Sequence, residues 1–272
     1  MSLAAAPIAE LQAPASWQRL DFISDLHLHA EEPRTFEHWE KYMANTSAHA
    51  IFILGDLFDV WIGDDAIAAD FSSAIHPGFE DRCARILQAT SQRSAIYFMH
   101  GNRDFLLGAQ AAQGCGLRLL ADPSVLVFQD QRYLLTHGDA LCLADTAYQK
   151  FRLEVRSAAW QQVFLAKPLQ ERKVIAKAMR AQSEQQKKIA LSFADVDGPT
   201  ACQWLAQANA GVMIHGHTHR PGDQSWAPAQ RRHVLSDWDA TATPQRLEVM
   251  RLSKSKTNSA PELRRLSITE SC

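Results

Sequence analysis

IFILGDLFD, residues 51–59, joins an apolar run of strand length to a polar string that follows it at once. The same arrangement recurs in four more places: FISDLH (22–27), YFMHGNRD (97–104), YLLTHGD (133–139) and VMIHGHTH (212–219). Apolar runs of this length, with helical patterns between several of them, indicate an α/β fold. In open α/β sheets, ligands bind beyond the carboxyl ends of the strands. Five polar strings in that position predict one shared site.

The composition is typical of a soluble globular chain with one large domain. The 272 residues are 46% hydrophobic and 21% charged. A net charge of -2 and a pI near 6.6 argue against nucleic acid as a partner. The five cysteines form no CxxC pair, which favours a reducing cytosol over a disulfide framework. No secretory signal and no apolar run of roughly 20 residues is evident, so we expect any membrane contact to be peripheral.

Three boundaries follow from changes in sequence pattern. Residues 1–16 are rich in Ala and Pro and are expected to form a disordered arm. The main domain is expected over residues 17–251, with a helical insertion at about 145–193 where the strand rhythm stops. Residues 252–272 are polar and weakly patterned, which predicts a flexible tail.

Seven side chains in the polar strings are candidate metal ligands. Asp25 and His27 are separated by one residue, and side chains that alternate along a strand point to the same side. Asp56 follows Gly55, where the chain can turn sharply and bring a bridging carboxylate close. The remaining four candidates offer an amide oxygen and three imidazoles: Asn102, His137, His217 and His219.

This donor set contains oxygen and nitrogen but no sulfur, which suits manganese, iron or zinc. Seven ligands are enough for two ions about 3.5 to 4 Å apart, an arrangement that lowers the pKa of a bridging water and binds phosphoryl oxygens. Such a site needs no nucleophilic Ser or Cys. The sequence therefore predicts hydrolysis of a phosphate ester.

The order DxH, GD, GN, HG and GHxH resembles the calcineurin-like metallophosphoesterase family from about Phe22 to His219. The resemblance implies a sandwich of two mixed β-sheets flanked by helices. It also implies a division of the ligands between two ions. One ion would be held by Asp25, His27, Asp56 and His219, and the second by Asp56, Asn102, His137 and His217.

Arg103 departs from the GNHD or GNHE string that is usual in the broad family. An arginine does not shuttle protons near neutral pH, but its planar guanidinium binds phosphate oxygens in pairs. This favours an extended phosphate such as a pyrophosphate diester. The longer strings, GDLFDVWIGDD among them, resemble a branch of the family that uses manganese and acts on a nucleotide-linked lipid at the cytoplasmic face of the inner membrane. The resemblance implies catalytic roles for Arg103, Asn102 and His217, all three also in contact with substrate.

The insertion has a composition that fits a lipid substrate. Residues 150–190 contain ten basic and three acidic residues, a formal surplus of seven positive charges, beside aromatic residues such as Trp160 and Phe164. Either these apolar residues pack the insertion onto the body, or they form a lid over acyl chains and contact anionic lipid. By resemblance, four residues are expected to contact the lipid headgroup or its phosphate: Asp145, Ser183, Lys187 and Lys188.

Two other functions stay open on the sequence alone. A phosphoesterase acting on a soluble nucleotide would share the ligands, but it would not need a greasy lid. A non-catalytic scaffold would be expected to have lost ligands. Three acids after Asp56 are interpreted as helix caps or solvated turns: Asp59, Asp64 and Asp65. The oligomeric state is left open.

Overall fold

The computed structural model describes residues 8–73, 75–189, 194–255 and 260–272, with the backbone alone for 181–189. Twelve strands in the described part form two six-stranded sheets. The eight α-helices of that part are α1 (Pro33–Asn45), α2 (Phe79–Ser91), α3 (Ala109–Cys115), α4 (Thr146–Val155), α5 (Ala158–Leu165), α6 (Leu169–Ile189), α7 (Gly198–Gln207) and α8 (Ile268–Ser271).

The first sheet carries two of the five polar strings. Its strands are β1 (Ala9–Gln12), β6 (Ser124–Phe128), β7 (Gln131–Thr136), β8 (Val212–His215), β9 (Gly222–Ala227) and β10 (Gln230–Val234). The spatial order is β1-β6-β7-β8-β10-β9, and β7 and β8 are parallel neighbours. The strings that follow β7 and β8 therefore begin at the same end of the sheet, beyond the carboxyl ends of its strands.

The second sheet carries the other three strings. Its strands are β2 (Arg19–Ile23), β3 (Ala50–Leu54), β4 (Ala95–Met99), β5 (Leu117–Leu120), β11 (Glu248–Ser253) and β12 (Glu262–Ser267). The spatial order is β12-β11-β2-β3-β4-β5, with β2 to β5 parallel and β11 and β12 antiparallel. Both sheets are mixed, as expected from the sequence, and the polar strings of β2, β3 and β4 also share one edge.

The two sheets pack face to face through one apolar layer. Phe22 and Phe52 of the second sheet stack with ring centroids 5.1 Å apart, in a cluster that also holds Leu126, Leu135 and Ile214 of the first sheet. Alternate residues of each strand point away from this layer, because successive side chains in a strand face opposite sides. Every second residue of the strands therefore contributes its side chain to the core between the sheets.

Helices cover the outer face of each sheet. Ile51 and Ile53 of β3 pack with Trp39 and Met43 of α1, all four nearly inaccessible to water. On the other sheet, Leu205 of α7 belongs to the cluster that contains outward-facing residues of β6, β7 and β8. Each large apolar side chain buried in this way contributes about 1.5 to 3 kcal/mol. This packing fixes the strands whose ends carry the polar strings.

Both terminal segments hold secondary structure that the sequence patterns did not predict. The expected disordered arm contains β1, which pairs in parallel with β6, and Leu11 packs against the layer between the sheets. The expected flexible tail contains β12 and α8, and β12 pairs along its whole length with β11. The expected disorder was therefore wrong for residues 9–12, and the expected flexibility was wrong for residues 260–272. Edge strands with charged side chains gain their order from a partner strand rather than from their own apolar pattern.

The insertion contains three helices, α4, α5 and α6, which we call the lid. Phe164 of α5 is 5% exposed and packs into the core cluster on the outer face of the second sheet. Trp160 stacks on Phe164 with ring centroids 4.7 Å apart and lies 6.2 Å from the ring of Phe105. Of the two interpretations of the lid aromatics, packing onto the body holds for these two residues. In the part of the chain described, no helix combines the length and apolar character needed to span a membrane.

Candidate metal centre

The candidate ligands lie beyond the strand ends, in an unusual backbone conformation. β2 ends at Ile23, and the residues Asp25 and His27 that follow it have φ angles of 56° and 47°. Asp56, His217 and His219 also have positive φ angles, of 55°, 67° and 51°. The expectation that Asp25 and His27 share a side through strand alternation was wrong in its reason. The left-handed backbone of these two residues, held by hydrogen bonds to the segment after β3, directs the side chains instead.

Backbone hydrogen bonds join the segments after β2 and β3. The amide of Asp25 donates to the carbonyl of Gly55 at 3.1 Å, and the amide of His27 donates to the carbonyl of Asp56 at 3.0 Å. Leu28 continues the pattern by donating to Leu57 at 2.9 Å. The two polar strings therefore run side by side past the end of the sheet, which keeps their acidic and imidazole groups together.

Asp25, His27 and His219 form a first ligand group, whose donor atoms all lie within 4.8 Å of one another. The Nε2 atoms of His27 and His219 are 3.2 Å apart, and Nε2 of His219 is 3.4 Å from Oδ1 of Asp25. The other oxygen of Asp25 accepts bonds from the Ser24 hydroxyl at 2.7 Å and from the His217 amide at 2.8 Å. Oδ1 is buried without a well-formed hydrogen bond in the described residues, so it is available to a cation.

Asn102, His137 and His217 form a second ligand group around the amide oxygen of Asn102. This oxygen lies 3.1 Å from Nε2 of His137 and 2.8 Å from Nδ1 of His217. His137 is fully buried, and its Nδ1 is 2.8 Å from the carbonyl of Leu54. Donation to that carbonyl leaves Nε2 as the lone-pair nitrogen, which is how metal-binding histidines are usually oriented.

Asp56 lies between the two groups. Its Oδ2 atom is 4.0 Å from Nε2 of His27 and 3.8 Å from Nε2 of His137. Its Oδ1 atom accepts the backbone amide of Arg103 at 2.8 Å, which fixes the carboxylate plane. All seven predicted ligands are thus brought together, with the carboxylate of Asp56 in the position of a bridge.

The ionisation of the site favours a bound cation. Burial raises the pKa of Asp56 to about 7, and the carboxylates of Asp104 and Asp25 act in the same direction. Burial lowers the pKa of His217 to about 3, with a further decrease from the charge of His137. For His137 itself, burial opposes protonation, but Asp56, Asp25 and Asp139 raise its pKa to about 9. Buried carboxylates beside imidazoles form a donor set that fits a divalent cation, whose charge replaces the protons they attract.

Close approach of the strings depends on glycines. A methyl group at Gly101 would lie 2.1 Å from Oδ1 of Asp56, and one at Gly216 would lie 2.3 Å from Oδ2 of Asp25. Real side chains do not tolerate such distances. These two positions let the GN and HG strings touch the carboxylates directly.

Asp104 is a functional residue that the sequence analysis did not single out. It is fully buried, and its carboxylate accepts backbone amides of Leu57 at 2.8 Å, of Gly101 at 2.9 Å and of Asp56 at 3.3 Å. It therefore holds the turn that carries Asp56 against the turn that carries Asn102. The signal was its place in GNRD directly after a strand, where an acid resembles an ordinary turn residue.

Asp139 is a second such residue, two positions after His137. Its Oδ2 atom accepts the Tyr148 hydroxyl at 2.5 Å and Nε of Arg152 at 2.8 Å, both from α4, and a guanidinium nitrogen of Arg156, the residue that caps the C-terminus of α4, at 3.4 Å. Burial acts to raise its pKa, but the charges of His137, Arg156 and Arg152 hold the pKa well below the usual range. An ionised Asp139 thus joins the lid to the string that carries His137.

The predicted substrate residues are placed unequally. Arg103 is partly buried, and its backbone amide donates to Oδ1 of Asp56 at 2.8 Å, which places the residue beside that carboxylate. Asp145 is exposed and caps α4 by accepting the Tyr148 amide at 2.9 Å. Ser183, Lys187 and Lys188 belong to α6, but their side chains lie outside the described part of the chain.

The three acids interpreted as caps have different partners. Asp64 caps α3, accepting the amides of Gly108 at 2.7 Å and Ala111 at 3.0 Å. Asp65 and Asp59 instead form ion pairs with the lid arginines Arg172 and Arg180, respectively. For Asp59, which is buried, the interpretation as a cap or solvated turn was wrong, whereas Asp65 is exposed in a short turn and pairs with Arg172 from there. Four of the ten basic residues of the insertion, all of them arginines, therefore pair with acids of the body.

Comparison with known proteins places these features in context. The profile of the family described as calcineurin-like phosphoesterase matches residues 18–221. A protein of Chromobacterium violaceum named UDP-2,3-diacylglucosamine hydrolase is 40% identical over 228 residues, which cover 80% of this chain and 90% of the relative. One of the same name from Aeromonas hydrophila is 41% identical over 224 residues, covering 80% and 89%. Among solved structures, an archaeal phosphodiesterase has a TM-score of 0.45 at 11% identity, over 91% of this chain and 98% of that one.

Proposed function

This chain belongs to the calcineurin-like phosphoesterase family and is a metal-dependent hydrolase, and from this premise we propose that its substrate is UDP-2,3-diacylglucosamine. The products would be UMP and 2,3-diacylglucosamine 1-phosphate, in the biosynthesis of lipid A. The observation that carries the proposal is the position of the Asp56 carboxylate between two groups of imidazole and oxygen donors. The names of relatives that are about 40% identical supply the substrate.

The seven ligands would hold two divalent cations, for which we propose manganese. When bound, such a pair lowers the pKa of water and neutralises charge on phosphoryl oxygens. Asp56 would contribute to both ions, with Asp25, His27 and His219 on one side and the second ligand group on the other. Oxygen and nitrogen donors suit iron or zinc as well, so the choice of manganese rests on the resemblance.

The side chains of Asn102 and Arg103 would bind the pyrophosphate. Arg103 presents a planar set of donors that matches two phosphate oxygens, and it offsets the negative charge that grows in the transition state. The amide nitrogen of Asn102 can donate to a phosphoryl oxygen while its oxygen serves as a ligand. His217, whose ring lies beside Asn102, would complete the contacts to the reacting phosphate.

The proposed reaction is a displacement at the α-phosphate, the one next to uridine. A water oxygen forms a bond to the α-phosphorus and releases a proton to solvent, and the bond from that phosphorus to the bridging oxygen breaks. The 1-phosphate of the lipid leaves with the electron pair of the broken bond. Asp104 takes no part in bond making, but it keeps Asp56 and Asn102 in register during the displacement.

The lid would receive the lipid portion at a membrane surface. Leu153, Val163 and Val174 are 72%, 66% and 61% exposed, which is unusual for large apolar side chains of a folded protein. We propose that they contact acyl chains or the interfacial lipid of the inner membrane, from its cytoplasmic face. Asp145, Ser183, Lys187 and Lys188 are proposed to bind the glucosamine headgroup and its phosphate.

The test is to incubate the purified protein with manganese and UDP-2,3-diacylglucosamine in water enriched in oxygen-18. The expected result is UMP that carries the label in its phosphate, since attack at the α-phosphorus places the water oxygen there. Label in the lipid phosphate would contradict the proposed attack at the α-phosphorus. It would still support UDP-2,3-diacylglucosamine as the substrate. Hydrolysis of soluble nucleotides without UMP release from the lipid would favour the soluble-nucleotide function instead.

A further inference from the structure

The part of the lid around α4 contacts a neighbour of Asn102, a neighbour of His137 and the ring of His217, which are the three members of the second ligand group. α4 and the residue that caps its C-terminus contact the string that carries Asn102, the string that carries His137, and the ring of His217 itself. These contacts come from two side chains, Arg156 and Tyr148. The lid is therefore a structural part of one half of the candidate metal centre.

Arg156 forms the link between two strings. One of its terminal nitrogens donates to the carbonyl of Gly101 at 2.9 Å, directly before Asn102, and approaches Oδ2 of Asp139 at 3.4 Å. Its guanidinium also lies over the ring of Phe105, 5.7 Å from the centroid. A planar, permanently charged group that is held on a ring and by two acceptors has little freedom. It fixes the separation of the Asn102 and His137 strings.

Tyr148 forms the link to the third ligand. Its hydroxyl donates to Asp139 at 2.5 Å, and its ring lies 5.9 Å from the ring of His217 at an interplanar angle of 28°. Asp139 is thus the acceptor that both Tyr148 and Arg156 contact.

The first ligand group is supported by residues outside the lid. The Trp238 amide donates to the carbonyl of Asp25 at 3.0 Å, and the Ser24 hydroxyl donates to its carboxylate at 2.7 Å. Nδ1 of His219 lies 3.6 Å from Oδ2 of Asp237. The two halves of the site therefore have supports of different origin.

We propose that Arg156 is a positioning residue that couples docking of the lid to cation binding by the second ligand group. The inference rests on the two-cation site of the proposed function. Coupling between two events is reciprocal: if a docked lid raises the affinity of the second group for a cation, a bound cation stabilises the docked lid by the same factor. Among the described residues, the contacts that support the first ligand group come from outside the lid, so we expect its cation affinity to be independent of lid docking.

Manganese binding by the full chain tests the first direction of the coupling. Titrations followed by calorimetry, with electron paramagnetic resonance to detect spin-coupled manganese pairs, would compare the wild-type protein with Arg156→Gln. We expect one of the two sites to lose about 10- to 100-fold in affinity, since groups that orient ligands typically have effects of this size. The other site should keep its affinity. Arg156→Lys should recover only part of the loss, because an ammonium lacks the planar fork.

A matched control is Lys150→Gln, which removes a positive charge from an exposed position of the same helix. It should leave both manganese affinities unchanged. Equal weakening of both sites in Arg156→Gln, or no weakening at all, would overturn the coupling. A wild-type protein that binds no pair of manganese ions would overturn the two-cation premise too, whereas two ions without UMP release would refute the substrate alone.

Hydrogen exchange of the amides in residues 146–155 tests the reverse direction. Manganese should slow exchange of these amides in the wild-type protein, because a cation at the second ligand group stabilises the docked helix. The slowing should disappear in Asn102→Ala and persist in His27→Ala, which removes a ligand of the first group. Slowing that is the same in both variants would contradict the assignment of the lid to the second half.

Discussion

Asp104 accepts the backbone amide of Asp56 at 3.3 Å, so a residue without an expected cation contact holds the bridging carboxylate in place. The same carboxylate accepts the amides of Leu57 and Gly101. We predict that Asp104→Asn lowers activity or metal affinity about 10- to 100-fold, because an amide has one acceptor oxygen where the carboxylate has two. Steady-state kinetics as a function of manganese concentration measures the effect.

The control for that variant is Asp64→Asn. Asp64 also uses its carboxylate to accept two backbone amides, but at the start of α3 rather than at the metal centre. We expect a loss of stability of about 1 kcal/mol and unchanged metal affinity. Unchanged activity together with unchanged metal affinity in Asp104→Asn would show that Asp104 is merely structural.

Gly101→Ala should disable the site through steric displacement. The new methyl group would lie 2.1 Å from Oδ1 and 2.4 Å from the backbone nitrogen of Asp56, so the two strings must separate. We expect a loss of about 1 to 3 kcal/mol in stability and a large fall in kcat. Gly198→Ala is the matched control, since nothing lies within 4 Å of the position that its methyl group would occupy. Denaturant unfolding and kinetics of both variants decide the matter, and similar behaviour of the two would refute the steric account.

Lid residues should separate into two classes by exposure. Replacing Leu153, Val163 and Val174 together with serine should raise KM for the diacyl substrate several-fold while stability changes by less than about 0.5 kcal/mol per site, because these side chains are exposed. Turnover of a short-chain analogue should stay the same. Phe164→Ala, by contrast, should cost about 3 to 5 kcal/mol of stability and affect both substrates, because Phe164 packs in the core. Parallel losses with both substrates in the serine variant would argue against a lipid contact.

The pairing of Asp65 with Arg172 should make docking of the lid depend on pH. The hydrogen bond from Arg172 lowers the pKa of Asp65 from 3.8. A lowered pKa in the folded state stabilises it fully above the unfolded value, and the contribution disappears as pH falls through the folded value. Hydrogen exchange of residues 169–180 should therefore be faster in Asp65→Asn than in the wild-type protein at pH 5 to 8. The difference should shrink below about pH 4, and a difference that does not vary with pH would refute the role of this pair.

The parts of the fold and site that the sequence predicted are those with local signals. Asp56 and Asn102 each follow an apolar strand and a glycine, so their position at a sheet edge could be inferred from residues beside them. The mixed sandwich followed from the family that this order of motifs resembles. What the local pattern could not show was the backbone of Asp25 and His27, since left-handed φ angles in non-glycine residues depend on bonds to a distant segment.

The parts that were missed depend on contacts far along the chain. The edge strands β1 and β12 carry too few apolar residues to be recognised, and they are ordered by pairing with β6 and β11. Asp139 resembles a turn acid until α4 is placed against it. The excess positive charge of the lid suggested an open basic face, but Arg152, Arg156, Arg172 and Arg180 all pair with acids of the body.

Five of the seven ligand residues adopt a backbone conformation that costs a non-glycine residue about 1 to 3 kcal/mol each. A search for heat-resistant variants of this enzyme would therefore be drawn to the ligand positions themselves, where glycine or asparagine relaxes the chain. Such variants would gain robustness and lose hydrolysis together. Thermal selection without an activity screen would therefore replace the metal-ligand residues first.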